Sequence, residues 1–170
     1  MKTVFLLSGI LFSLQTAFAQ SPYISLKDEQ HPGQHILNGI ITKFALQNDS
    51  TYKWYGNSQT AYTPAEGILN TVVATKNNYQ FVVFGGTWCE DTQFILPRFF
   101  KLQEQAGIPN KSISLFAVDR NKKTIGGIAD AFKVTNVPTI IVMKDGKELG
   151  RVVEYGKTGQ WDKELSDMLK

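Results

Sequence analysis

Cysteine occurs once in this 170-residue chain, as Cys89, and its thiol is the strongest nucleophile the sequence offers. Trp88 precedes it, and Glu90, Asp91 and Thr92 follow. A lone thiol can attack a disulfide or be oxidised. It cannot close a disulfide within its own chain, so it cannot store two electrons as a dithiol. The remaining candidates are weaker. His31 and His35 are the only histidines, and Pro32-Gly33 between them breaks the helical register that would bring both to one face, so no metal is expected. Asp119 follows an apolar run and is expected to cap the next turn, Arg98 to be solvated, and Lys144-Asp145-Gly146 to be turn chemistry only.

The elements that must hold Cys89 can be read from the spacing of apolar residues. Tyr79 to Phe84 is a nearly continuous apolar run, the pattern of a strand buried on both faces of a sheet. Gly85-Gly86-Thr87-Trp88 carries the chain off that strand, and Phe94, Phe99, Phe100 and Leu102 resume helical spacing as far as Gly107. The sulfur therefore sits where a strand hands over to a helix N-terminus. Free N–H groups and the helix dipole favour a thiolate there. Glu90 and Asp91 compete for the same positive end, so a modestly activated thiol is expected, with the Thr92 hydroxyl as a donor to the sulfur.

Further along, Ser112 to Val118 reads as a strand, Ile125 to Phe132 as a short helix and Thr139 to Met143 as a strand. The turn Lys144-Asp145-Gly146-Lys147 predicts that the next strand, Leu149 to Val153, runs antiparallel to its neighbour. Gln160 to Leu169 closes the chain as a helix. Upstream, Thr63-Pro64-Ala65-Glu66 looks like a capped helix start for the apolar face of Ile68, Leu69, Val72 and Val73. His35 to Gln47 places Ile36, Ile40, Phe44 and Leu46 near one helical face. Residues 20–34 read as a loosely held leader, and residues 51–62 as a short strand or an aromatic-rich loop in which Tyr52, Trp54 and Tyr55 pack on the core.

A net charge of +3 comes from scattered lysines, so neither a nucleic-acid footprint nor a polybasic membrane patch stands out. Residues 1–19 have a different character. Lys2 is followed by the apolar stretch Val4 to Leu14 and then by the small-x-small pattern of Thr16-Ala17-Phe18-Ala19, the signature of a secretory signal peptide with Gln20 as the first mature residue. The apolar stretch is shorter than the roughly 20 residues a membrane-spanning helix needs, and no span is expected in the mature chain. Export to a periplasmic or extracellular compartment is the expectation. Such compartments are oxidising, so an unpaired cysteine there is either buried or reactive.

The order helix, strand, helix, strand, helix, strand, strand, helix from residue 64 resembles the thioredoxin superfamily. Three local features carry the likeness: Trp88-Cys89 at a strand-to-helix corner, Pro97 eight residues after the cysteine, and Val137-Pro138-Thr139 opening a strand. The resemblance implies an α/β fold with a central mixed sheet flanked by helices over residues 63–170, preceded by an N-terminal helical extension over residues 20–62. It implies further that the Val137–Pro138 bond is cis, that Pro138 faces the sulfur, and that the backbone of Val137 pairs with an extended substrate, making Trp88, Cys89, Val137 and Pro138 a substrate groove. The departures are equally specific. Thr92 stands where the family has its second cysteine, Val83 where it has a buried carboxylate, and Glu154 where it has a groove glycine, with Gly156 the nearest glycine.

Two functional readings stay open at this stage. In one, Cys89 is the nucleophile of a monothiol exchange protein in cell redox homeostasis, with Thr92 as auxiliary donor and a thiol- or disulfide-bearing protein or small thiol as partner. In the other, the groove is a non-catalytic peptide- or protein-binding module and the cysteine is a relic. A peroxidase is disfavoured because the sequence has no Thr-x-x-Cys motif. No cofactor is expected, and a Cys89-linked dimer is a further outcome open to an exposed thiol.

Overall fold

The computed structural model describes residues 21–170, so the signal-peptide reading of residues 1–19 lies outside the described residues. A six-stranded mixed sheet in the order β1-β2-β4-β3-β5-β6 runs through the fold. Its strands are β1 (Tyr23–Lys27), β2 (His35–Ile41), β3 (Gln80–Gly85), β4 (Ile113–Ala117), β5 (Thr139–Lys144) and β6 (Lys147–Val153). The helices are α1 (Lys43–Gln47), α2 (Lys53–Thr60), α3 (Glu66–Thr75), α4 (Glu90–Ala106), α5 (Ile128–Ala131) and α6 (Trp161–Met168).

Strand β3 pairs in parallel with β4 and antiparallel with β5, so both its edges are hydrogen-bonded and both its faces are covered. Successive side chains of a strand point to opposite faces. Phe81 and Val83 accordingly enter a large core with Ile95, Phe99 and Leu165, and Phe84 enters a smaller one with Val118, Val137 and Ile141. Trp88 and Cys89 pack against the smaller core. The β5–β6 hairpin turns through Asp145 at φ 51° and Gly146 at φ 74°, the two left-handed positions that a tight two-residue turn requires.

The N-terminal segment differs from expectation in three places. The leader expected over residues 20–34 contains β1, which is tied antiparallel to β2 from Tyr23 opposite Gly39 to Lys27 opposite His35. The helix expected over 35–47 is a helix only from Lys43, while His35–Ile41 is strand β2, antiparallel to both β1 and β4. Its isoleucines satisfied a helical spacing by coincidence. Ile36, Leu37 and Ile41 are all buried from opposite sides of one strand, and Gly39 combines φ 122° with a close approach of the chain, since a Cβ there would meet the Pro22 carbonyl oxygen at 2.5 Å. The aromatic stretch after residue 50 is neither strand nor loop. It is a 3-10 turn, Ser50–Tyr52, running into α2, with Tyr52 and Tyr55 buried as core residues.

One expected cap is also absent. Helix α3 starts at Glu66 with Ala65 extended before it, and no side chain caps it, so the Thr63 hydroxyl does not serve that role. Pro64 is buried and the chain stays extended past it. Among the described residues, no helix is long and apolar enough to cross a membrane.

Candidate active site

Cys89 is the N-cap residue of α4, with φ −95° and ψ 123°. Its amide donates to the Gly86 carbonyl at 3.0 Å and its carbonyl accepts the Gln93 amide at 2.9 Å, so the residue is held by the turn before it and the helix after it. The side chain does not cap the helix. Instead the half-buried thiol donates to the Val137 carbonyl oxygen, 3.2 Å from Sγ. The Val137–Pro138 bond is cis, and Pro138 is buried at the start of β5. The structure thus brings Cys89, Val137 and Pro138 together across the corner formed by the ends of β3 and α4.

Two glycines make the corner possible. A Cβ on Gly85 would lie 2.9 Å from Thr92 Cγ2, and one on Gly86 would lie 2.6 Å from Trp88 Cε2 and 2.7 Å from its Nε1. The indole of Trp88 therefore rests directly on the backbone, with Nε1 donating to the Val118 carbonyl at 3.1 Å. Arg120 covers it, its Cζ 5.2 Å from the ring centre.

Thr92 is placed next to this corner but has a different partner from the one anticipated. Its Oγ1 accepts the Gly86 amide at 3.2 Å, and the residue is 1% exposed. Its hydroxyl bonds to the loop and not to the sulfur. Thr87 works similarly from the other side. Its hydroxyl donates to the His35 carbonyl at 3.2 Å and accepts the Leu37 amide at 3.3 Å, which fastens the loop to β2. Gln93 Nε2 donates to the Thr87 carbonyl at 2.9 Å.

The residue that follows β6 beside Pro138 is an acid. Glu154 has φ 51°, its amide donates to the Pro138 carbonyl at 2.7 Å, and its Oε1 accepts from Asn136 Nδ2 at 2.9 Å. Gly156 does not replace the missing groove glycine, since a Cβ on it would meet the Glu164 carboxylate at 2.6 Å and it serves the turn into α6. Beyond Glu154, Tyr155 packs on Phe94 with ring centres 5.6 Å apart. Burial, and then the nearby Asp91 carboxylate, push the Tyr155 hydroxyl above its ordinary value, so it stays a neutral donor. Val83, which stands where the resemblance implies a buried carboxylate, is fully buried among apolar side chains.

The other sequence candidates fall into place separately. Asp119 caps its turn, accepting the Asn121 and Lys123 amides at 2.9 Å. Arg98 is not simply solvated. It lies half-buried with Cζ 3.3 Å from the Phe94 ring centre, and Nε donates to Ser58 Oγ. His31 is engaged with Asp28 and Arg120, and among the described residues no three His, Cys, Asp or Glu side chains converge to hold a metal. The sequence reading overlooked Thr87, Gln93 and Arg120. The adjacent pair Gly85-Gly86 was the available signal that something packs closely on this loop.

With this geometry in hand, comparison with known proteins gives a consistent result. A family model described as Thioredoxin matches residues 62–167. The thioredoxin of Listeria monocytogenes is 28% identical over 83 residues, which span 49% of this chain and 76% of that protein. The thioredoxin of Mycobacterium tuberculosis is 28% identical over 99 residues, spanning 58% and 81%. That of Mycolicibacterium smegmatis is 30% identical over 101 residues, spanning 59% and 88%.

Proposed function

The chain belongs to the thioredoxin family, and on that premise we propose that it carries out thiol–disulfide exchange through Cys89 alone. A thioredoxin-family domain supports thiol–disulfide oxidoreductase-type function in general. The observation that carries the finer reading is the half-buried Cys89 thiol, 3.2 Å from the Val137 carbonyl beside Pro138. An attacking sulfur there meets a client whose extended backbone lies along Val137.

The chemistry proceeds in two displacements. Cys89 gives its proton to solvent, its sulfur displaces one sulfur of a client disulfide, and the second client sulfur leaves as a thiolate. The product is a mixed disulfide between client and Cys89. Because Thr92 offers no sulfur, a thiolate from outside the chain attacks that mixed disulfide and Cys89 leaves in its original state. No electrons are retained by the protein. The net result is an exchanged or isomerised disulfide, with the oxidation state set by the incoming thiol.

The pattern of residues 1–19 supports a setting outside the cytoplasm, where disulfide-bearing clients occur. N-terminal sequencing of the protein from a fractionated cell tests this, with Gln20 as the expected first residue and retention of Met1 in the cytoplasmic fraction as the contrary result. Exchange itself is tested by refolding a disulfide-scrambled substrate with the wild-type protein and with Cys89→Ser. Faster refolding lost in Cys89→Ser supports the proposal. Equal rates for both, together with client binding that survives reduction, would favour a binding module, a reading to which the apolar Val83 beneath the site lends weight.

A further inference from the structure

The contacts around Trp88 lead to a point far away in sequence. The indole is fixed on three sides: by the Gly86 backbone, by the Val118 carbonyl at Nε1, and by the guanidinium of Arg120 over its ring. Arg120 is itself held. Its Nε and Nη2 donate to the two carboxylate oxygens of Asp28 at 3.0 and 2.7 Å, a two-point fork that fixes the plane of the guanidinium as well as its position.

Asp28 lies in the connection between β1 and β2 and is 4% exposed. Its Oδ1 also accepts the Gln30 amide at 3.0 Å, and its Oδ2 lies 3.2 Å from His31 Nδ1, so both oxygens are fully engaged. Aspartate is rarely buried unless it is paired, because taking a carboxylate out of water is costly. The Gln30 bond serves the turn itself, which an exposed aspartate could do as well; it does not account for the burial of the carboxylate or for the fork to Arg120. Here the carboxylate points at the one arginine that touches the tryptophan beside the reactive sulfur. Lys122, 6.0 Å from the same ring, has no comparable anchor among the described residues.

We propose that Asp28 is a positioning residue for the groove: through Arg120 it sets the orientation of Trp88 beside Cys89. This rests on the exchange reading only in taking Trp88 as a wall of the groove a client enters. The N-terminal hairpin then belongs to the working site, although it lies outside the stretch that matches the family model.

The test uses the full chain with Asp28→Asn, which keeps size and removes charge, and Arg120→Lys, which keeps the opposite charge but loses the fork and the plane. Arg120→Lys also serves if Asp28→Asn does not fold. The Trp88 indole N–H signal is followed by nitrogen–proton NMR, identified by its loss in Trp88→Phe, with the buried Trp161 as internal control. In parallel, the rate at which Cys89 reacts with the neutral disulfide 4,4′-dithiodipyridine is measured. The expected result in both variants is a displaced Trp88 signal, an unmoved Trp161 signal and a Cys89 rate changed at least threefold. A Trp88 signal that stays in place in a folded variant overturns the proposal, and so does a displaced signal with an unchanged rate. A wild-type thiol inert to the disulfide would instead defeat the exchange reading, leaving the indole signal alone to decide the role of Asp28.

Discussion

Replacing Thr92 with valine removes one of the side-chain hydrogen bonds that tie the Gly85–Trp88 loop to α4, the other coming from Gln93. Valine reproduces both branches at Cβ and fills the space beside Gly85, where Thr92 Cγ2 sits so close that a Cβ would lie 2.9 Å from it. What it removes is the acceptor for the Gly86 amide, now 3.2 Å from Oγ1 in a residue 1% exposed. A buried donor left without a partner costs about 1–3 kcal/mol. Taking about 2 kcal/mol and a urea dependence of about 2 kcal/mol/M, the unfolding midpoint of Thr92→Val should fall by roughly 1 M. The effect should also be local. Hydrogen exchange of the Gly86 amide should accelerate by at least about tenfold, the equivalent of 1.4 kcal/mol. An unchanged midpoint with an equally protected Gly86 amide would refute this reasoning. If the only change were a slower Cys89 reaction, the hydroxyl would be acting on the sulfur and not on the loop.

Three further outcomes follow from the same geometry. Arg120, hydrogen-bonded to Asp28, holds its carboxyl well below the usual carboxylate range against the opposing effect of burial. A depressed folded value means stability that is present above the unfolded aspartate value of about 3.9 and lost as pH falls below it. Wild-type unfolding free energy should therefore drop between about pH 4 and about pH 2 by about 2 kcal/mol more than that of Asp28→Asn, measured by denaturant titration at each pH. Gly86→Ala should lose about 1–3 kcal/mol, because its Cβ would lie 2.6 Å from Trp88 Cε2 and force the indole off the loop; a wild-type melting curve would contradict this. Tyr55→Phe should leave stability unchanged or raise it by about 1 kcal/mol, since the Tyr55 hydroxyl is buried with no hydrogen-bond partner among the described residues. A loss above that size would show that the hydroxyl has a partner, such as a bound water.

The parts of the fold legible in the sequence are those whose signals are local. The run Tyr79 to Phe84, the turn at Asp145-Gly146 and the pair Trp88-Cys89 each sit within a few residues, and each appears where its pattern implies. The N-terminal segment departs from its sequence pattern for a physical reason. Ile36, Ile40, Phe44 and Leu46 meet a helical spacing, but the first two lie on β2, which gains hydrogen-bonded partners on both sides only once β1 and β4 are in place. Long-range pairing of that kind leaves no periodic trace. Asp28 and Arg120 are 92 residues apart, and nothing beside either announces the other. Thr92 is a third kind of case. Its position was plain, but whether its hydroxyl served the sulfur or the loop depended on where the Gly86 amide points, which only the turn geometry decides.

Single-thiol exchange is tested most directly by intact-mass spectrometry of the protein after mixing with an equimolar disulfide-bearing peptide. The account predicts a one-to-one mixed disulfide on Cys89 once the thiol released from the peptide is quenched by acid, and a return to the unmodified mass when reduced glutathione is added in excess. No adduct at Cys89, or an adduct that reduced glutathione does not release, would contradict it.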